Sequence, residues 1–544
     1  MRSLLGKKGE PLQTLMNFCV VVPVFLAMGF SLSFLGGVTR YKTFYTQFPQ
    51  INTATTTGTV KSHNSLIQGT TVSSLNLGAA LGCLSTMYLG NKLGRRRTVM
   101  LGAIIALVGT VLQCSAFSLP QLIVSRIILG SGLGMMSSTV PVWQSETSKV
   151  HKRGHHVIVD GICIAAGIAM ASWLTFGFSK ANTETSWNWR LPCMTTGILA
   201  IVVICFTFAF PESPRWLALK GRYDEAREVI ALVDDVEPDS EHVNFILSSI
   251  SSINEQYAET ASFTSLFKYG QEKMLYRLIL ASATQLFSQM SGSALITYYS
   301  EQLFATVGLS HDLSKILGAT DLTFKLICCA IPFLTIERFG RRKLLIIAAS
   351  GMSTCMFCLA ICGSQVTDDN LAPAYVAIVF AFVFVFFYPI GFLGVNFLYS
   401  QEVITTRYRA PASGISTAVH WLSAFVVACE LATTFPIAHA HPLVTTPIGF
   451  SSLGWKFYLV WGSVAMSIIP SVYFFYPETT GLSVEEIDRV FIDTPSVFAT
   501  VHYAELRRRQ KLANPDQVPG EIEQFENPKV KEEQFEQALV NSRT

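Results

Sequence analysis

Charge is what this chain has least of. Lys, Arg, Asp and Glu make up 14% of its 544 residues, against about 25% in an ordinary soluble protein. With 50% hydrophobic residues and a mean hydropathy of +0.40, a string of soluble domains is excluded, because so much apolar surface could not be hidden from water. The same composition excludes disordered and collagen-like chains. A net charge of +3 is too small to attract a polyanion, so no nucleic-acid partner is expected. No Gly-x-x-x-x-Gly-Lys-Ser/Thr loop is present to cradle nucleotide phosphates, which argues against an ATP-driven pump. No Asn-x-Ser/Thr glycosylation acceptor occurs. His439 and His441 lack partners for a metal, so neither a metal site nor any other cofactor is expected, nor enzymatic chemistry. The 12 cysteines fall mostly inside apolar runs, where they read as small hydrophobes rather than a disulfide framework.

What the chain has is long uncharged stretches. A membrane-spanning helix needs about 20 apolar residues. No Asp, Glu, Lys or Arg occurs between Glu10 and Arg40, Arg97 and Arg126, Arg126 and Glu146, Asp160 and Lys180, or Arg190 and Glu212. The same is true between Arg277 and Glu301, Lys343 and Asp368, Asp369 and Glu402, Arg409 and Glu430, and Lys456 and Glu478. Two weaker runs, 66–90 and 312–336, complete twelve spans. The fold expected is all-α and integral to a lipid bilayer. The first span follows a charged stretch and has no small-residue cleavage site, so it is not a removable signal.

Basic residues crowd the even-numbered connections: Lys92 with Arg95, Arg96 and Arg97, then Lys149 to Arg153, then Arg338 to Lys343, then Arg407 and Arg409. The positive-inside rule therefore places both termini in the cytosol. Arg40, Lys42 and Lys61 in the first loop are the exception. Charged, helix-prone residues 211–272 read as a cytosolic insert, and 481–544 as a polar tail, part helix and part disordered. The resulting division is 1–210 as one six-helix bundle, 211–272 as a helical linker, 273–480 as a second bundle, and 481–544 as a tail.

The halves echo each other. Gly94-Arg95-Arg96 recurs as Gly340-Arg341-Arg342, Glu146 and Arg153 as Glu402 and Arg409 at the same spacing, and Pro211-Glu212 as Pro477-Glu478. Three matches in one order, each at the cytosolic end of a span, indicate a parallel duplication. Two parallel six-helix halves, with substrate held between them at the midplane, are the plan of the major facilitator superfamily.

The motifs then resemble the sugar porter family of that superfamily, especially fungal hexose-transporter-like members. They are Gly90-Asn91-Lys92-Leu93-Gly94-Arg95-Arg96; Arg126, Gly130, Gly132 and Gly134; Pro141, Trp143, Ser145 and Glu146; Arg153-Gly154; and Trp189-Arg190. They continue as Pro211-Glu212-Ser213-Pro214-Arg215-Trp216-Leu217, Gln285 and Gln289, Tyr298-Tyr299, Glu337-Arg338-Phe339-Gly340-Arg341-Arg342, and Pro477-Glu478-Thr479. The resemblance covers nearly the whole chain. It implies a carrier that works by alternating access, a monomer in the plasma membrane, and a small-molecule substrate, a sugar or something like one.

It also implies roles. Arg95, Arg96, Glu146, Arg153, Glu212, Arg341, Arg342, Glu402, Arg409 and Glu478 would form a network pairing across the halves while the cavity faces outward. Orientation alone would explain the arginines but not acids at equivalent positions in both halves. Gln285 and Gln289, on one helical face, would meet the substrate with Tyr298, Tyr299 and Trp421, since amides both donate and accept and an aromatic stacks on a sugar ring. Several family positions differ. His420 stands for the usual Asn, Gly161 for a Gln, Ser288 for the second amide of span seven, Ala294 for an Asn, Asn396 for a Pro and Phe397 for a Trp. These losses leave another sugar, a polyol or a less polar substrate open.

Coupling reads two ways. Proton-coupled members carry Asp in span one, where this chain has Gly29-Phe30-Ser31-Leu32-Ser33, so Ser31 favours a facilitator. Intramembrane acids are costly and functional by default, and Asp160, beside Gly161, is the best substitute proton carrier. Glu430 also lies at membrane depth, and Asp321 and Lys325 are placed to neutralise each other. A transporter-shaped nutrient sensor is the third reading, weakened by a short tail without a signalling module.

Overall fold

The computed structural model describes residues 6–39, 41–53, 55–56, 58–148, 153–180, 185–257, 263–270, 272–294, 296, 304, 311–366, 372–433, 455–482 and 484–513. Among the described residues every regular element is helical. The first six crossings are α1 (Gly9–Val38), α2 (Gly58–Leu93), α3 (Arg95–Cys114), α4 (Leu119–Thr147), α5 (Arg153–Lys180) and α6 (Trp187–Thr207). Three short helices follow: α7 (Pro214–Leu219), α8 (Tyr223–Asp234) and α9 (Glu241–Tyr257). The second six are α10 (Met274–Met290), α11 (Leu313–Phe339), α12 (Arg341–Gln365), α13 (Ala372–Glu402), α14 (Arg409–Thr433) and α15 (Lys456–Phe475). Two tail helices end the described chain, α16 (Val484–Ile492) and α17 (Val497–Ala513). Eleven helices are long and apolar enough to cross a bilayer among the described residues; α10, with 17 residues, is shorter and stands in the place of the twelfth expected span. The two weak runs are α2 and α11.

The sequence explains the irregularities. Pro23 has no N–H to donate, and the backbone widens into a π turn over Asn17–Val21 just before it. Pro389 precedes the interruption of α13, whose regular helix stops at Phe392 and resumes at Val395. Small residues draw the helices together, since no hydrophobic force acts between them in lipid. A Cβ on Gly82 would lie 2.0 Å from the Ser131 carbonyl, and one on Gly134 2.0 Å from the Ala79 carbonyl, so α2 and α4 touch backbone to backbone. Gly29 and Gly167 do the same for α1 and α5, at 2.1 and 2.3 Å.

The two bundles meet mainly along two helix pairs, α2 with α14 and α5 with α11, with further contacts of α4 with α14 and of α5 with α13. Trp173 Nε1 donates to Thr323 Oγ1 at 2.9 Å across the second seam. The insert has its own apolar core of Trp216, Leu217, Val229, Ile230, Val243 and Leu247. The tail helices dock on the second bundle. Arg277 of α10, fully buried, pairs with Asp488 of α16 and lies over the Phe491 ring at 4.3 Å, and Lys273 Nζ donates to Thr494 Oγ1 at 2.9 Å. Residues 514–544 lie outside the described residues, as does any test of their predicted disorder.

Candidate functional site

Two constructions in this fold carry chemistry. The first is a charged belt at the arginine-rich ends of both bundles. Gly94 and Gly340 stand at φ +89 and +86, a conformation open to glycine, and each lets a new helix start at a sharp corner. The first free N–H groups of α3, on Arg95 and Arg96, donate to Glu212 Oε1 at 2.9 and 3.2 Å. Those of α12, on Arg341 and Arg342, donate to Glu478 at 2.9 and 3.1 Å. Each glutamate thus satisfies orphan donors and sits at the positive end of a helix dipole. Burial pushes the Glu212 carboxyl up from its usual range, while the amides of Ser213, Arg96 and Arg95 pull it back.

The guanidinium groups complete the belt. Arg95 holds Glu146 through Nε–Oε2 at 2.9 Å and Nη2–Oε1 at 3.1 Å, and Arg341 holds Glu402 at 3.1 and 2.8 Å. Both are two-point clamps, the strong form of this contact. Trp143 Nε1 donates to the Pro211 carbonyl at 3.1 Å, and the Tyr399 hydroxyl to that of Pro477 at 3.2 Å. The repeat in the sequence is therefore a repeat in hydrogen bonding. The pairing differs from the expectation in one respect. These clamps close within each bundle, not across the halves, because each Glu rises from a helix of the same bundle as its Arg. Arg409 is the link across: 1% exposed on α14, it lies close enough to Glu146 for the two charges to interact. Arg96 turns to the Phe210 carbonyl at 3.3 Å and Arg342 to that of Tyr473. The Arg153 side chain lies outside the described residues.

The second construction is a polar and aromatic cluster at the seam of the bundles. The Gln285 side-chain oxygen accepts from Asn396 Nδ2 at 2.9 Å. Gln289 Nε2 lies 2.9 Å from His420 Nε2. Phe397 packs on His420 with ring centres 5.6 Å apart and on Phe25 of α1 at 6.5 Å. Trp421, 5.1 Å from the His420 ring, donates to Ser137 of α4 at 3.4 Å. So α10, α13 and α14 bring Gln285, Gln289, Asn396, Phe397, His420 and Trp421 together. The interruption of α13 places Asn396, and Ser288 steadies it by donating to the freed Phe392 carbonyl at 2.9 Å. Tyr298 and Tyr299, and the Glu430 side chain, lie outside the described residues.

Asp160 and Gly161 lie where α5 meets the second bundle. A Cβ on Gly161 would lie 2.9 Å from the Leu393 carbonyl and 3.0 Å from Gly394, so α5 touches the interruption of α13 there. The missing glutamine side chain is replaced by backbone contact, not by open space. Asp160 is fully buried next to this contact, and neither carboxyl oxygen has a hydrogen-bond partner. Ser31 shares a 3.0 Å hydrogen bond with Thr196 of α6. Asp321 and Lys325 act on each other electrostatically, yet Lys325 Nζ stands 4.6 Å above the Tyr388 ring and the Asp321 oxygens have no hydrogen-bond partner.

Sequence reasoning missed the serines of the seam. Ser413 of α14 donates to the Ser138 carbonyl of α4 at 2.9 Å and accepts from Gln401 at 2.9 Å. A serine inside an apolar run carries no signal of its partner. Among the described residues no group of His, Cys, Asp and Glu could hold a metal, and the described cysteines are free thiols.

The model of the family described as "Sugar (and other) transporter" matches residues 16–491. The sugar transporter STL1 of Saccharomyces cerevisiae is 33% identical over 473 residues, covering 86% of this chain and 79% of its own. The high-affinity fructose transporter ght6 of Schizosaccharomyces pombe is 26% identical over 517 residues, covering 92% of each. Among solved structures, the proton:xylose symporter XylE bound to 6-bromo-6-deoxy-D-glucose aligns with a TM-score of 0.74 at 22% identity, over 89% of this chain and 100% of that one. At that identity the likeness is one of fold.

Proposed function

Because the chain belongs to the sugar (and other) transporter family, we propose that it is a facilitative carrier that moves a sugar or sugar-like small molecule through alternating access between its two bundles. The chain is a multi-pass membrane carrier and not an enzyme. Residues 1–210 and 273–480 are the two moving bodies, 211–272 the linker between them and 481–544 the tail. The arginine-rich ends and both termini face the cytosol, the membrane is the plasma membrane and the working unit is a monomer.

The observation that carries this reading is the buried cluster at the seam. Gln285, Gln289, Asn396 and His420 offer donors and acceptors, two pairs of which are spent on one another, and Phe397 and Trp421 offer apolar ring faces beside them. A polyhydroxyl substrate can exchange its hydroxyls for those mutual bonds and also supply a donor to Asn396 Oδ1, which is buried without a partner. On the family resemblance we assign Tyr298 and Tyr299 to the same site. The belt of Arg95, Arg96, Glu146, Glu212, Arg341, Arg342, Glu402, Arg409 and Glu478 holds the cytosolic ends of each bundle together, with Arg409 facing Glu146 between them, and the family resemblance adds Arg153 to it. Ser31 supports facilitation, since a hydroxyl bonded to Thr196 has no proton to exchange near neutral pH.

One observation favours a second reading. Asp160 is a buried carboxyl without a hydrogen-bond partner at a contact between the bundles, as a proton carrier for symport would be. Uptake of labelled hexoses, pentoses and polyols into yeast lacking its own hexose carriers separates the two. Uptake indifferent to external pH and to a protonophore establishes the facilitator. Uptake that collapses with the proton gradient, and loses that response in Asp160→Asn, establishes the symporter. No uptake by a chain shown to reach the surface overturns both and favours a sensor.

A further inference from the structure

Two cysteines that the transport reading leaves unused come together where α3 and α6 pack. These helices run antiparallel. At one end Arg96 of α3 reaches the Phe210 carbonyl beyond the end of α6. At the other, Arg190 of α6 donates to the carbonyls of Cys114 and Ala116. Between these ends the helices approach closely at Gly197. A Cβ there would lie 3.7 Å from the Thr110 Cβ and 3.2 Å from its Cγ2. That spacing is the one a disulfide needs, with Cβ atoms about 3.5–4.5 Å apart. One helical turn further along the same antiparallel register, Thr110 gives way to Cys114 and Gly197 to Cys193. The two thiols there are near enough to interact directly, and the Cys114 thiol also donates to the Arg190 carbonyl at 3.8 Å. Exposures are 9% and 3%. A cavity of about 660 Å³ beside Cys114, lined by Leu107, Phe117, Trp187, Arg190 and Met194, gives a small reagent a way in. Phe117, Trp187 and Met194 are exposed, so the cavity is open to the surroundings. The Arg190 guanidinium acts on both thiols, the charge a thiolate needs beside it.

We propose that Cys114 and Cys193 are a redox-active pair that closes into a disulfide stapling α3 to α6 at the end of the first bundle away from the arginine belt. The oxidant is a small-molecule disulfide. The Cys114 thiolate attacks one of its sulfurs and expels the first small thiolate, leaving a mixed disulfide on Cys114. The Cys193 thiolate then attacks the Cys114 sulfur and expels the second. Each cysteine's proton ends on one released thiol. Two protein thiols are oxidised by two electrons and one external disulfide is reduced by two. Both cysteines belong to one bundle, so the staple leaves the seam free and uptake is unchanged. Its effect is on the first bundle's resistance to unfolding, because a closed loop restricts the unfolded chain.

The test uses the full-length chain in membranes, equilibrated with oxidised and reduced glutathione, trapped with N-ethylmaleimide, digested and analysed by mass spectrometry. The expected result is a peptide linking 114 to 193 that grows with the oxidant ratio, vanishes with dithiothreitol and is absent from Cys114→Ser and from Cys193→Ser. The oxidised wild-type chain should melt above the reduced one, and neither variant should show that shift. Failure to form the linked peptide even with copper-phenanthroline overturns the proposal. So does a redox-dependent melting shift that persists in Cys114→Ser. Neither outcome touches the carrier reading, which the uptake assay judges separately.

Discussion

At the scale of single residues, the belt places opposite demands on a glycine and on a glutamate. Gly94 holds φ +89, and a Cβ added there would lie 2.5 Å from Glu212 Oε2. Gly94→Ala should therefore incur both the backbone strain of roughly 1–3 kcal/mol and the displacement of the carboxylate that caps α3. Gly221 separates these effects. It holds φ +72 with nothing within 4 Å of its Cβ, so Gly221→Ala should show the strain alone. Melting of the detergent-solubilised chain checks this, with Gly94→Ala lower than Gly221→Ala. Glu146→Gln leaves Arg95 buried without its counter-charge, and removing one partner of such a pair costs about 3–5 kcal/mol. Little folded protein should survive the change, and Arg95→Met with Glu146→Leu should recover part of it. In the seam, His420→Ala removes the partner of Gln289. Uptake kinetics should show KM raised about tenfold or more, the loss of one buried hydrogen bond to substrate, while belt-dependent melting stays unchanged. The glutamines, His420 and Trp421 were singled out in the sequence by their match to the family's positions, and the structure gathers them at the seam. Ser137, Ser138 and Ser413 were not, since their importance lies in partners contributed by another helix.

At the scale of elements, the twelve crossings were legible because lipid forbids charge along a span and demands a closed backbone. The sequence did not reveal that α13 is interrupted between Phe392 and Val395, since a helix breaks at membrane depth only where neighbours such as Ser288 satisfy the freed carbonyl. Nor did it reveal that the tail is anchored. Asp488 is 29% exposed, yet its partner Arg277 is wholly buried, between α16 and the Val403 carbonyl. Asp488→Asn should loosen α16 without unfolding the bundle, because Arg277 keeps the Glu272 and Asp488 main-chain carbonyls and the face of Phe491. Limited proteolysis is the measurement. The tail of Asp488→Asn should be cut several times faster than that of the wild-type chain, with the remaining fragment still folded. Equal rates would mean that the Phe491 and Tyr276 contacts alone hold the tail.

At the scale of the whole molecule, alternating access requires one end of the seam to close while the other opens, and the arrangement described here is closed at the arginine-rich end. There α14 lies on α2 with no room for side chains. A Cβ on Gly414 would lie 2.9 Å from the Cys83 carbonyl and 2.9 Å from Met87 Cγ, and one on Gly90 3.8 Å from the Ala410 Cβ. Arg409 beside Glu146 and Ser413 on Ser138 close the same end. A valine at 414 would be a wedge in a packed seam, and overpacking of this kind costs about 1–3 kcal/mol. In a two-state carrier that cost falls on the closed end alone, so Gly414→Val should shift the population toward the state opened there by roughly 5–150-fold. A reporter cysteine at Ala410, in a chain otherwise freed of reactive thiols, should then be labelled faster by a reagent supplied from the arginine-rich side, and the KM for uptake should rise. If the α2–α14 seam is instead a fixed scaffold, the wedge has no second state to favour. Gly414→Val would then lower the melting temperature while labelling at 410 stayed the same, and closure at this end would have to be sought along α5 and α11.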